Sequence, residues 1–248
     1  MIHRFCIGLL SALGLAGSAL AADFKVIAPN AAKEPVLEAI AVFEKATGHK
    51  VSVSWSGTES ITKRIAEGEP VDLVVNAAQT FERLASEGRL VGSTRIDFAR
   101  SGIGVAVPAS SPRVDVSTSD AIRSLLLSAP SVVVSTGTSG RHMVEVFAKL
   151  GVSEQLKAKT KQPASGAQIA DFLASGDAAV GFQQVSELLH AKGIHYLGPL
   201  PAELQNYTVY SAAVHSSATD VGIVKQLLAA LRSSSVQAVV RTAGMEPL

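Results

Sequence analysis

Four hydroxyls and two glycines fall within seven residues, Ser135-Thr136-Gly137-Thr138-Ser139-Gly140-Arg141. The run follows an apolar β-branched segment, Val132-Val133-Val134, and precedes an amphipathic one, Met143 to Leu150. That order reads as strand, small polar turn, helix. Such a turn gathers hydroxyls and backbone N–H groups at a helix N-terminus, where the helix dipole favours negative charge. The glycines let a ligand approach the backbone closely. A second turn of the same kind, Ser56-Gly57-Thr58-Glu59-Ser60, follows the alternating Val51–Trp55 and precedes Ile61 to Gly68. Each hydroxyl alone is equally a capping or turn residue. Their clustering on two turns is what points to a small anion held in a cleft.

Other chemistries fit less well. Gly137-Thr138-Ser139-Gly140-Arg141 lacks the final glycine of a nucleophile elbow. His142, His190, His195 and His215 are not at metal-ligand spacing, and no His-Glu-x-x-His run occurs. The expectation is a binding protein without catalysis, cofactor or metal; the alternative is an exported hydrolase acting on a small ester or phosphoester. Arg141 reads as a ligand contact, against a solvated residue in a first helical turn. His142 is a further candidate, with plain packing as the competing reading. Lys63 and Arg64 belong on an exposed helix face.

Positioning these turns requires an alternation of strands and helices. Phe24–Ala28, Val51–Ser54 and Val71–Val75 read as strands, with helices over Glu34–Thr47, Ile61–Gly68 and Gln79–Gly88. Strands at Ile103–Val107, Val132–Val134, Ala178–Phe182 and Ile194–Leu197 continue the pattern. Helices are expected over Thr118–Leu127, Met143–Leu150, Glu154–Lys161, Gly166–Ala174 and Val185–Ala191. A long alternating strand, Tyr207–Val214, and two helices, Thr219–Leu231 and Ser234–Thr242, close the chain. The fold class is α/β: two lobes, each a mainly parallel sheet flanked by helices. The strands near Gly104 and Val209 are placed to cross between lobes. Residues 22–106 plus 208–248 form lobe 1 and 107–207 an inserted lobe 2. Ligands in open α/β sheets sit beyond the carboxyl ends of strands, where both hydroxyl turns fall.

Composition narrows the partners. His3 and Arg4, the apolar Phe5–Leu20 and Ala19-Leu20-Ala21 read as a signal peptide over residues 1–21, so the mature chain is expected in the periplasm. The single cysteine, Cys6, leaves with it, so no disulfide is available. A net charge of +1 without a basic run argues against nucleic acid. One Trp and three Tyr give little material for stacking sugar rings.

The stretches Phe43-Glu44-Lys45-Ala46-Thr47-Gly48-His49-Lys50-Val51, Gly57-Thr58-Glu59-Ser60-Ile61 and Ile65-Ala66-Glu67-Gly68-Glu69-Pro70-Val71-Asp72-Leu73 resemble the periplasmic molybdate-binding proteins. Lys149-Leu150-Gly151 and Gly176–Gly181 extend the likeness over nearly all the mature chain. The resemblance implies the type II periplasmic-binding fold, a monomer that presents its closed form to a membrane ABC permease, and an oxyanion held by neutral donors. It puts those donors at Ala31, Thr58, Ser139, Gly166 and Gln184. Asn30, after the first strand, and Ser60, in the second turn, complete the candidate set. Three departures stand out: Ala31 has no hydroxyl, Gln184 replaces a tyrosine, and Arg141 and His142 bring charge. Because a guanidinium grips a carboxylate through paired N–H bonds, the expected ligand is a molybdate-like oxyanion or a small di- or tricarboxylate.

Overall fold

A computed structural model describes residues 22–248, so the signal-peptide reading falls outside the described residues. The chain opens with β1 (Asp23–Pro29), α1 (Lys33–Thr47), β2 (Lys50–Ser56), α2 (Thr58–Ala66), β3 (Leu73–Ala77), α3 (Phe81–Ser86) and β4 (Ile96–Ser101). It crosses at Gly102 into β5 (Ile103–Pro108), α4 (Ser119–Ser128), β6 (Val132–Val134), α5 (Thr138–Lys149), α6 (Ser153–Lys157) and β7 (Thr160–Lys161). Next come α7 (Ile169–Ala174), β8 (Val180–Gln184), α8 (Val185–Leu188) and β9 (Ile194–Pro199). The chain then returns for β10 (Thr208–Val214), α9 (Val221–Ala230), α10 (Ser234–Thr242) and β11 (Glu246–Pro247).

Two sheets result, ordered β11-β4-β10-β3-β1-β2 and β7-β6-β8-β5-β9. Each is parallel only where strand–helix–strand units build it: β2-β1-β3 in the first and β7-β6-β8 in the second. The remaining pairs are antiparallel, so the expectation of mainly parallel sheets is corrected to mixed ones. The reason is the crossover. A strand that leaves for the other lobe, or returns from it, enters its sheet without an intervening crossover helix.

Both faces of each sheet are buried. Val36, Ala39, Ile40 and Phe43 of α1 join Val224, Leu227 and Leu228 of α9 and Val236 and Val240 of α10 on one side of the first sheet. Ile61 and Ile65 of α2 and Phe81 and Leu84 around α3 cover the other. In the second sheet, Val132 and Val134 pack with Met143, Val146 and Phe147. Val133, between them, points to Ile169 and Leu173 on the opposite face, as the two-residue strand period requires. Among the described residues no helix is long and apolar enough to cross a membrane.

Four differences from the sequence reading have local causes. Strand β4 was not expected, because Asp97 and Arg100 interrupt its pattern. In the fold Asp97 accepts from Ser211 at 2.5 Å and from Arg95 at 3.0 Å. The strands near Gly104 and Val209 each stay within one sheet; the crossings lie at Gly102 and just before Thr208. The polar helix ends at Lys157, and Thr160-Lys161 pairs with Val132-Val133 as β7. Finally, α5 begins at Thr138 and not at Met143, which places the hydroxyls inside its first turn.

Candidate functional site

The carboxyl ends of β1, β2 and β6 deliver three turns to one place between the sheets. There Pro29, Asn30, Ala31, Ser56, Gly57 and Thr58 face Ser135–Ser139, Ala164–Ala167, Gln183, Gln184 and Glu187, with Tyr210 at the base. They enclose a cavity of about 40 Å³. Helices α2 and α5 start on Gly57 and Gly137, which have no side chain to cap them. The turn before α1 has no N-cap side chain either. One first-turn amide of α2, that of Ser60, is held by Ser165 Oγ, and one of α5, that of Gly140, by Ser135 Oγ. The amides of Thr58, Glu59, Thr138 and Ser139 keep no side-chain partner among the described residues, the arrangement that favours an anion.

Hydroxyls supplement the amides. Thr58 Oγ1 and Thr136 Oγ1 are buried without a hydrogen-bond partner among the described residues, and an unmade bond at such a group is costly unless a ligand makes it. The Ser135 and Ser139 hydroxyls lie 3.0 Å apart, and Gly140 N–H donates to Ser135 Oγ at 3.2 Å. Behind Thr58, Asn76 Nδ2 donates to the Thr58 carbonyl at 3.2 Å and to Thr62 Oγ1 at 2.9 Å, which holds the start of α2 in place.

The lobes meet across the cavity. Asn30 Nδ2 donates to the Gly166 carbonyl at 3.0 Å, and Ser60 N–H to Ser165 Oγ at 3.3 Å. Gly166 has φ +91°, and a Cβ there would sit 3.0 Å from Gly57 N. Only glycine combines that left-handed backbone with so close an approach.

Six sequence candidates, Asn30, Ala31, Thr58, Ser139, Gly166 and Gln184, line the cavity; Ser60, Arg141 and His142 do not. Ser60 contributes its amide to the interlobe contact. Arg141 is ion-paired with Glu59 of the opposite lobe, both about half exposed. His142 Nε2 sits 2.8 Å from the Leu204 carbonyl, and its Nδ1 3.4 Å from Glu145. With Ser139 turned inward, a helix rotates Arg141 by roughly 200° away from the cavity, so the guanidinium offered by the sequence is spent on a rim contact. Gln184 is committed as well. With its amide oriented to satisfy both ends, it donates to the carbonyls of Ser101 (3.0 Å) and Gly102 (3.2 Å) and accepts from Thr208 Oγ1 (2.8 Å). It thereby ties together both crossings between the lobes. No histidine lines the cavity, among the described residues, to activate the Ser139 hydroxyl.

Among the lining residues absent from the sequence candidates, two carry titratable groups: Glu187 and Tyr210. Glu187 is the one acid in the wall, and among the described residues the wall holds no Lys, Arg or His. Its Oε1 accepts from Gln183 Nε2 at 2.8 Å, while Gln183 Oε1 is held by the Ile169 amide at 3.0 Å. Burial pushes the Glu187 carboxyl up to about 8, with a hydrogen bond from Gln168 acting the other way; the cavity still leaves part of the residue accessible. Burial first, and then the nearby Glu187 charge, hold the Tyr210 phenol well above its usual range. The available signal was thin. A tyrosine on the apolar face of β10 reads locally as packing, and Gln183, which the resemblance marks together with Gln184 at the family's tyrosine position, gave no sign of the acid four residues on.

Two α/β lobes with a polar cavity between them are the build of a solute receptor, and the bacterial extracellular solute-binding protein family matches residues 24–246. The chain belongs to that family. It is 30% identical over 220 residues, 86% of this chain and 83% of the relative, to an aconitate isomerase of a Pseudomonas species. It is 34% identical over 188 residues, 73% of each chain, to the molybdate-binding protein ModA of Azotobacter vinelandii. The solved periplasmic molybdate-binding protein of Azotobacter vinelandii superposes with a TM-score of 0.76 at 21% identity, over 90% of this chain and 98% of that one. The fold is thus the type II periplasmic-binding one.

Proposed function

We propose that the interlobe cavity binds a small organic polycarboxylate in the periplasm, and that a membrane permease reads the closed form. The observation that carries the anion class is the meeting of three turns without an N-cap side chain and two unpartnered hydroxyls on one cavity. Two features favour a carboxylate over a four-oxygen anion held by neutral donors alone. Glu187 offers a carboxyl for direct pairing with another. Past Asn30, Ala31, Gly166 and Glu187 the cavity adjoins a groove of about 930 Å³, lined by Lys33, Trp55, His190 and Thr242 among others, with room for a ligand longer than molybdate. Calorimetry with molybdate, sulfate, cis-aconitate and trans-aconitate tests the class. Binding of a carboxylate is expected; tight molybdate binding with silent carboxylates would overturn that choice.

A second reading has its own support. The relationship to an aconitate isomerase covers most of both chains, and Glu187 beside Tyr210 supplies an acid–base pair in the cavity wall. An isomerase would move one proton within an unsaturated tricarboxylate: a carboxylate removes it from one carbon of the allylic system and returns it to another, with no oxidant or reductant. Proton NMR of cis- and trans-aconitate incubated with the protein in D2O decides this. Interconversion with deuterium incorporation, abolished in Glu187→Gln, would establish turnover; unchanged spectra leave the protein a receptor.

A further inference from the structure

We propose that Glu187 is the proton-holding residue of the cavity: with the lobes closed it is neutral, donates a hydrogen bond to an oxygen of the bound anion, and makes each binding event take up one proton. The proposal rests on the anion-binding reading above and adds a coupling which that reading does not require.

Geometry supports it first. Glu187 lies in α8, facing both the cavity and the adjoining groove. The Gln183 amide is oriented by the Ile169 N–H, so its NH2 end is the one directed at Glu187 Oε1. A proton on the carboxyl then belongs on Oε2, in competition with the hydrogen bond from Gln168. An ionised carboxylate there would confront the incoming anion across a small cavity, and like charges at short range disfavour the charged form of one of them. No basic side chain lines the cavity, among the described residues, to offset the repulsion. The titratable and charged groups around Glu187 are Tyr210 of β10, Lys33 and Glu34 of α1, and His190 just past α8. Lys33 and Glu34 carry opposite charges on the lining of the adjoining groove and not of the cavity, and His190 Nε2 is engaged by the Thr242 carbonyl at 2.8 Å. The phenol of Tyr210 stays neutral near neutral pH. Burial acts in the same direction, moving the carboxyl up to about 8.

The sign follows from linkage. When open lobes let water reach the carboxyl, it titrates in the ordinary carboxylate range of about 4; closure raises it. Between those limits the bound state holds more protons than the free state. Each unit rise in pH then weakens binding of an anion that does not itself titrate by up to about tenfold.

Two measurements on the mature chain test this. Calorimetry with sulfate, molybdate and trans-aconitate near pH 7, in two buffers of different ionisation enthalpy, reads protons taken up per anion. Uptake near one is expected for the wild type and near zero for Glu187→Gln, which keeps a neutral donor in place and whose affinity should stay flat from pH 6 to 8. Carbon-13 NMR of glutamate δ-carboxyls, with the Glu187 resonance assigned by its loss in Glu187→Gln, should show a titration midpoint well above the ordinary range with anion bound. Binding without proton uptake, or an ordinary midpoint in the complex, overturns the proposal and leaves anion binding intact. Absence of heat from all three anions overturns the anion reading, and the proposal with it.

Discussion

Helices α4, α9 and α10 each begin on a side-chain cap: Thr118 Oγ1 accepts from Ala121 N–H, Asp220 Oδ1 from Ile223 N–H and Ser233 Oγ from Val236 N–H. Helices α1, α2 and α5, of comparable or greater length, have no cap from the N-cap residue itself, and in α2 and α5 one first-turn amide each is held instead by Ser165 Oγ and Ser135 Oγ. The first group starts away from the cavity; α2, α5 and the turn that leads into α1 start on it. A cap contributes about 1 kcal/mol to a helix, so three starts without an N-cap side chain around one cavity represent stability withheld from the folded protein. Under the proposed anion binding, the amides left over are the ones a ligand would cap, with donors drawn from both lobes.

The strongest way to break this contrast is to keep the donors and prevent their meeting. Gly57 has ordinary extended backbone, φ −85° and ψ 156°, yet a Cβ there would lie 2.3 Å from Ser165 Oγ and 2.5 Å from Gly166 N. Gly57→Ala should therefore fold normally, cut anion affinity by roughly 100-fold or more, and shift small-angle scattering toward a more open form. Unchanged affinity would mean that the lobes need not approach this closely.

Removing one unpartnered donor comes next. Thr58→Val keeps the shape of a buried residue and deletes its hydroxyl; a lost hydrogen bond to a charged ligand is worth about 1.5–3 kcal/mol, or roughly 10- to 150-fold in affinity by calorimetry. Stability should hold or rise, since Thr58 Oγ1 has no protein partner to lose. The mirror-image substitution is Thr118→Ala on a capped helix, expected to cost about 1 kcal/mol in urea unfolding with no effect on binding. If Thr118→Ala weakened binding as much as Thr58→Val, the division of helix starts by role would fail. Smallest of all should be Arg141→Ala. The Arg141–Glu59 pair crosses the cleft, but both members are about half exposed, and such pairs contribute no more than about 1 kcal/mol. A modest, salt-sensitive loss of affinity is expected; a loss rivalling that of Thr58→Val would put the guanidinium in contact with the ligand after all.

What a single pass along the chain could show was whatever short-range periodicity encodes. Val132–Val134 before a hydroxyl turn, and the same order at Val51–Ser60, specify strand, turn and helix because each lies within about twenty residues of its own pattern. The two-lobed α/β class, both anion-facing turns and most of the inward-facing helix positions follow from that. Strand β4 escaped because its polar residues are paired with groups over one hundred residues away: Asp97 with Ser211 is the case in point.

The site divides along the same line. Clustered hydroxyls and glycines at helix starts, together with the family resemblance, marked Thr58, Ser139 and Gly166. Tertiary structure decided that Arg141 faces Glu59, that Gln184 braces the two crossings, and that Glu187 and Tyr210 close the cavity wall. Those outcomes depend on contacts such as Asn30 with Gly166 and Ser60 with Ser165, made between lobes by residues 136 and 105 positions apart. Local sequence says which groups a turn carries. The direction each side chain faces, and the dielectric that sets its charge, exist only once two distant segments have been brought together.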